Sequence, residues 1–290
     1  RVDLIHANAT AAHAAGGVAA RKCKIPAVWH VRDLADLGRW GGLLERRADA
    51  IVAISKTVAQ SLQKQNVPRH KTHLIYNSLD VNDWPLQISP DADIRKALNA
   101  TEPTIVFGCV GQLVAWKNQA IFIEAAALLR SVEPAANIKF AIIGSDPWYQ
   151  KSPYRRRLIA QAKALGLGQD LIFFPHQSDN RAVLAACDVL VHAAYQEPFG
   201  RVLIEAMALE KPVVAFDAAG AGEILTNEKD GLLTPPESRS AGLAEAMRKV
   251  LSSPSLRERL GKAARITVQQ QFNAADGAVK MRELYETLSA

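Results

Sequence analysis

Short apolar runs rich in Val, Ile and Ala alternate with helical patterns along almost the whole chain, and this alternation restricts the fold more than any other feature. The β-rich runs are 2–6, 27–31, 50–54 and 73–76. After a break come 104–110, 138–143, 171–174, 189–192, 212–216 and 231–233. Helical patterns lie between them, for example 118–130, 154–165 and 241–251. Strands separated by helices imply parallel sheets covered by helices, an α/β fold class. The segment 80–100 is rich in Asp, Asn and Pro and only weakly periodic, so it reads as a linker between two α/β domains. The expected organisation is a partial N-terminal domain over 1–80, a linker over 81–102 and a C-terminal domain over 103–270. A helix over 271–290 can return to the N-terminal domain. In open parallel sheets, ligands bind beyond the carboxyl ends of the strands, so strand ends are where functional residues are sought.

A length of 290 residues suits about two domains. No run of 18 apolar residues is present, so no transmembrane helix is expected. Residues 1–6 read as a strand and not as a signal peptide. Cys23, Cys109 and Cys187 lack metal-ligand spacing and sit in apolar contexts, which suggests buried free thiols in a reducing cytosol. The net charge of +6 permits an anionic partner. Basic residues gather at Arg21, Lys22 and Lys24, at Arg46 and Arg47, and at Arg155, Arg156 and Arg157. Solvated faces explain such clusters in general. The functional alternative is peripheral contact with an anionic membrane surface carrying a lipid acceptor, at the inner face. Nucleic acid is not expected, because no binding motif accompanies the charge and only 6% of residues are aromatic.

Glu197-Pro-Phe-Gly-Arg-Val-Leu-Ile-Glu205 follows the apolar run 189–193 directly. Pro198 suits a first helical position, and Val202 to Leu209 continue as a good helix. The strand thus delivers a turn that opens a helix. Backbone N–H groups of Phe199, Gly200 and Arg201 are expected to lack intrahelical partners and to attract phosphate or sugar oxygens. Gly200 lets a ligand come close to the backbone. Eight steps of about 100° leave Glu205 roughly 80° around the helix from its start, so both carboxylates can border one cleft. A Glu pair at this spacing taken alone describes a solvated helix; the strand–turn–helix context makes it a ligand site.

The segment resembles the E-x7-E motif of retaining glycosyltransferases with the GT-B fold, specifically family 4 (glycosyl transferases group 1), and the wording from Val191 to Ala208 is close to that family throughout. The resemblance extends over the whole chain, is strongest in the C-terminal half, and implies two Rossmann-like domains, the N-terminal one on the acceptor side and the C-terminal one binding the nucleotide sugar. It implies that Glu197 and the following backbone hold the donor sugar, and that Glu205 holds the donor ribose. Gly111, Gln112, Lys117 and Asn118 resemble the family's G-R-L-x-x-x-K-G element, in which Arg and Lys grip the donor diphosphate. Lys117 matches, Gln112 stands in the Arg place and Asn118 in the second Gly place. Gln carries no charge, so Arg201 is a candidate supplement. His30, in a strand-end Trp-His-Val-Arg-Asp, resembles the family's histidine that reaches the sugar and diphosphate. Alone, such a His is usually structural. Gly144 ends a strand and allows close approach, and Phe174-Pro-His176 matches the place where relatives cradle the nucleobase. A Gly-rich turn over 217–223 resembles one that borders the donor pocket, although a tight turn explains it equally. Tyr76-Asn-Ser-Leu-Asp80 resembles the element leading into the interdomain linker.

The resemblance implies a retaining hexosyltransferase that moves a sugar from a nucleotide-diphosphate sugar to a glycan, lipid or small-molecule acceptor, with Glu197, His30 and Lys117 in catalysis. No cofactor and no metal are implied, and the expected location is cytoplasmic. Two alternatives stand: a GT-B module that binds a nucleotide sugar without transfer, and a GT-B enzyme of another class, such as an epimerase. No G-x-S-x-G, H-E-x-x-H or Walker loop is present, which argues against hydrolase and P-loop readings. Relatives begin with a further strand, Gly-rich loop and helix, and only about four strands precede the linker here. An N-terminally incomplete first domain with an open sheet edge near 2–6 is therefore expected.

Overall fold

The computed structural model describes residues 2–38, 40–101, 103–146 and 153–289. Two compact units emerge: residues 1–78 with 272–290, and residues 79–271. Residue 102, the last of the expected linker, lies outside the described residues.

In the first unit, β1 (Ile5–Ala7), β2 (Ala27–Val31), β3 (Ala50–Ala53) and β4 (Thr72–Leu74) form a parallel sheet in chain order. Helices α1 (Thr10–Cys23), α2 (Trp40–Glu45) and α3 (Lys56–Lys64) connect them. β2 and β3 are buried at every position, as a strand covered on both faces must be, and their sequences read as unbroken apolar runs. Ser55 caps α3 by accepting from the Val58 N–H at 3.0 Å. Lys24 ends α1 in the left-handed conformation. β1 is an edge strand of three residues.

The second unit carries α4 (Ala92–Ala97), β5 (Ile105–Val110), α5 (Gln119–Val132), β6 (Ile138–Ile143), α6 (Pro153–Ala164) and β7 (Leu171–Phe174). It continues with α7 (Asn180–Ala185), β8 (Val189–His192), α8 (Arg201–Ala208), β9 (Val213–Phe216), α9 (Ala219–Ile224), β10 (Leu232–Thr234), α10 (Arg239–Ser252) and α11 (Pro254–Gln271). Its strand order is β10-β9-β8-β5-β6-β7, all parallel. The sheet grows one way from β5 through β7 and the other way from β8 through β10. The winding reverses between β5 and β8, and such a switch point leaves a crevice at the carboxyl ends of those two strands. The core follows strand alternation. Phe107 and Cys109 of β5 with Phe140 and Ile142 of β6 face one side, against Phe122 of α5. Val106, Ala141 and Ile143 face the other side. Phe107 stacks on Phe140 at 5.9 Å between centroids.

α12 (Ala274–Ser289) belongs to the first unit, where Leu284 packs against Val28, Ala50 and Val52. The segment 80–100 is more than a connection: Ile94 and Leu98 are fully buried against Val106 and Ile143 in the second unit. The expectation of three buried thiols holds for Cys109 and Cys187, whose burial pushes both thiols up to about 12. It fails for Cys23, which ends α1 on an exposed face. Among the described residues, no helix is long and apolar enough to cross a membrane.

Candidate functional site

Three loops meet at the carboxyl ends of β5, β6 and β7, laced by main-chain hydrogen bonds. Gly111 N donates to Ile143 O at 2.9 Å, Gly144 N to Phe174 O at 2.9 Å, and Leu113 N to Ser145 O at 3.1 Å. His176 N donates to Ser145 Oγ at 3.1 Å. This lacing leaves no room for a side chain. A Cβ on Gly144, whose φ is +153°, would sit 1.9 Å from Gly111 O. The close approach read from the sequence at Gly144 is thus first an approach of backbone to backbone. Between the loops lies a cavity of about 320 Å³, lined by Gly111, Gln112, Gly144, Ser145, His176 and Asn180 among others.

The strand β8 leads to α8, whose Val202 also lines this cavity. The loop between them ends at Gly200, which caps α8 at φ +96°, with no side chain capping that helix. The next loop packs tightly on it. Gly220 N donates to Glu197 O at 3.0 Å, and a Cβ at Gly220 would lie 2.2 Å from Phe199 O. The Phe199 ring is buried in the core.

Glu197 is 7% exposed and forms an ion pair with Lys117 across the switch point. His192, the last residue of β8, places Nε2 3.3 Å from the same Oε2. Burial by itself would raise the Glu197 carboxyl. His192 and Lys117 outweigh it and hold the group at about 2, so the carboxylate is ionised at every physiological pH. Lys117 also lies 4.5 Å from the Trp116 ring centroid. Asn118 follows in the left-handed conformation, φ 55°, which accounts for a residue that tolerates this region, Asn, standing where the related motif has Gly. Gln112 has an exposed side chain, and its carbonyl accepts from Gln119 Nε2 at 2.7 Å.

Glu205 is buried and doubly held: Asn180 Nδ2 donates to it at 3.0 Å and Arg201 Nε at 2.8 Å. Glu205, Arg201, Asn180, His176 and Trp84 border a second cavity of about 310 Å³. His176 and Asn180 line both cavities. Asp179 caps α7 by accepting from Arg181 N at 2.9 Å, which fixes the helix start where Asn180 stands. Among the described residues, no group of three or more His, Cys, Asp or Glu side chains is placed to hold a metal ion.

The remaining sequence-selected residue, His30, lies in the first unit at the end of β2. Its ring is 6% exposed, with Nδ1 3.1 Å from His6 Nε2. Burial, then the nearby Arg32 charge, lowers its pKa to about 3, so it is neutral at cellular pH. Four residues escaped the sequence reading: His192, Asn180, Ser145 and Trp84. His192 carried a usable signal, because it ends a strand as His30 does. Also in the first unit, Arg21, Lys24, Arg46 and Arg47 surround a cavity of about 490 Å³ beside the beginning of β2.

A family model described as "Glycosyl transferases group 1" matches residues 90–267, and one described as "Glycosyltransferase Family 4" matches residues 1–83. The crystal structure of Anabaena HepE in complex with UDP and glucose superposes with a TM-score of 0.87 at 27% identity, over 98% of this chain and 77% of that one. An uncharacterized glycosyltransferase of Methanocaldococcus jannaschii is 26% identical over 94% of this chain and 72% of its own length. A D-inositol 3-phosphate glycosyltransferase of Rhodococcus opacus is 26% identical over 78% of this chain. The chain spans 57% of that relative's length.

Proposed function

The chain belongs to the glycosyl transferases group 1 family with the GT-B fold, and on that premise we propose that it transfers a hexose from a nucleoside diphosphate sugar to a glycan, lipid or small-molecule acceptor with retention of configuration. The observation that carries the reading is the Lys117–Glu197 ion pair at the switch point of the second unit, beside the glycine-laced cavity.

In this reading the diphosphate lies beside Lys117, Gly111 and the backbone N–H groups of the turn at Phe199 and Gly200 and of Arg201, the first residue of α8. As the glycosidic bond breaks, the leaving diphosphate gains charge, and a preplaced ammonium with helix-terminal N–H groups favours that charge without reorganisation. Gln112 contributes a neutral hydrogen bond where a guanidinium would carry charge, and Arg201 is the supplementary cation. Glu197, fixed as an anion, accepts from sugar hydroxyls. Glu205 accepts from the ribose; a carboxylate has about four acceptor sites, so Asn180 and Arg201 do not exhaust it. The loops at Gly144 and His176 receive the nucleobase. His30 serves in this reading as a neutral hydrogen-bonding group during transfer. The chemistry uses no cofactor and no bound metal. HepE was crystallised with UDP-glucose, which makes that compound the first donor to try. The cations around the first unit's cavity support peripheral contact with an anionic membrane bearing a lipid acceptor at the cytoplasmic face.

A screen of UDP-, GDP- and ADP-sugars by thermal shift tests donor binding, since a ligand of the folded state raises Tm. Release of the nucleoside diphosphate in the presence of an acceptor extract tests transfer. Gln112 and the prior neutralisation of Lys117 favour one second reading, a module that holds the donor without transferring it. Stable binding with no release would select it.

A further inference from the structure

Tyr285, His6 and His30 form a continuous line of side-chain contacts within the first unit. Tyr285 belongs to α12, His6 to the edge strand β1, and His30 is the penultimate residue of β2. The Tyr285 hydroxyl is hydrogen-bonded to His6 Nδ1, and His6 Nε2 lies 3.1 Å from His30 Nδ1. The His6 ring meets Tyr285 edge-on at 5.8 Å between centroids and lies tilted over His30 at 5.2 Å. His30 Nε2 is buried with no hydrogen-bond partner. Buried polar atoms are nearly always paired, so this exception calls for an explanation.

Burial, followed by the Arg32 charge, lowers the pKa of both histidines, so both rings are neutral. A neutral imidazole carries one N–H and one bare nitrogen. The line therefore has two consistent proton arrangements. In the first, Tyr285 donates to His6 Nδ1, His6 Nε2–H donates to His30 Nδ1, and His30 keeps its own proton on Nε2. In the second, every bond is reversed, His30 Nε2 is bare, and the phenol proton is left outside the line. Burial raises the Tyr285 phenol above its ordinary range, so it is protonated at neutral pH and able to donate. The first arrangement uses that donor.

We propose that Tyr285 and His6 are positioning residues that hold His30 as a neutral Nε2–H donor for an oxygen of the bound substrate during sugar transfer. The role in transfer rests on the function proposed above; the relay and its polarity do not. No bond is made or broken by the relay. It fixes which nitrogen of His30 carries the proton, and its terminal donor finds its acceptor when substrate arrives.

The test is a long-range ¹⁵N–¹H correlation spectrum of the full chain labelled in histidine, at pH 7, which reports the protonated nitrogen of each ring. The parent should show His30 protonated on Nε2. His6→Gln should retain this, because the amide keeps an acceptor oxygen for Tyr285 and an N–H for His30. Tyr285→Phe and His6→Leu should shift His30 towards the Nδ1–H form. A parent protonated on Nδ1, or a spectrum unchanged in both disrupting variants, overturns the relay. In parallel, kcat should fall roughly tenfold in Tyr285→Phe and His6→Leu, the loss of about one well-placed hydrogen bond, with KM for the donor unchanged and kcat restored in His6→Gln. An altered tautomer with unaltered kcat overturns the role in transfer. A parent that transfers no sugar refutes the function proposed above together with that role, while the spectra still decide the relay.

Discussion

Lys117 and Glu197 are each other's counter-ion, so a change at either is felt at the other. Glu197→Gln keeps size and removes charge; transfer should fall roughly 100-fold, as for a hydrogen-bond partner strengthened in the transition state. Nucleotide binding should change little, and steady-state kinetics beside calorimetry checks both. Lys117→Ala removes the proposed diphosphate contact and also takes the lysine counter-ion from a buried carboxylate. It should weaken the diphosphate and the donor together, roughly 10- to 100-fold, and should cost about 3 kcal/mol of stability. Gln112→Arg should preserve or tighten donor binding by adding a bidentate phosphate partner. Lys117 and Glu197 stood out in the sequence because each follows an apolar strand by a few residues. Their meeting did not, since it depends on β5 pairing with β8 across an intervening stretch of two strands and three α-helices. His192 and Asn180 stayed hidden for the same reason: convergence is a property of strand order, which local pattern does not encode.

At the scale of elements, the loops that shape the cleft are specified by glycine where backbone meets backbone. Gly144→Ala and Gly220→Ala should each displace a neighbouring carbonyl, at Gly111 and Phe199, and lose both stability and donor binding. The expected cost is on the order of 2 kcal/mol or more at Gly144, where positive φ adds strain to the clash. Gly168→Ala is the control, because its Cβ would meet nothing within 4 Å. Denaturant melts of the three variants separate these outcomes, and a Gly144→Ala as stable as Gly168→Ala would contradict the packing account. The inner strands β2, β3, β8 and β9 were readable because parallel strands buried on both faces are continuous apolar runs; β4 has an intermediate and two exposed positions and was marked instead by its place in the alternation. α4 was not: a six-residue helix is too short to display a period, and its Asp- and Pro-rich surroundings imitate a linker. The exposure of Cys23 was equally invisible, as an apolar neighbourhood in sequence does not say which way a helix end faces.

For the molecule as a whole, the ionisable groups define an acid limit. His6 and His30 have folded pKa values below their unfolded value of 6.5, so below pH 6.5 the unfolded chain binds protons that the folded chain refuses. Their contribution to stability is complete above pH 6.5 and is lost as pH falls towards about 3 for His30. Glu197 adds a second loss between 4.5 and about 2. Stability should therefore drop from pH 7 to pH 5, and His30→Gln should remove up to about 1.4 kcal/mol per pH unit from that slope. Equal slopes in parent and variant would contradict the buried, neutral His30. The membrane contact is tested by cosedimentation with vesicles containing anionic lipid: binding should weaken when Arg21, Lys24, Arg46 and Arg47 are changed to Gln, and binding unaffected by that change would discard it. The central claim, a nucleotide-sugar site at the switch point of the second unit, is tested most directly by isothermal titration of UDP-, GDP- and ADP-glucose into the parent, Lys117→Ala and Glu205→Gln chains. One donor should bind the parent one-to-one and bind both variants at least roughly tenfold more weakly. Binding of none of the three donors, or binding equally tight in all three chains, would contradict it.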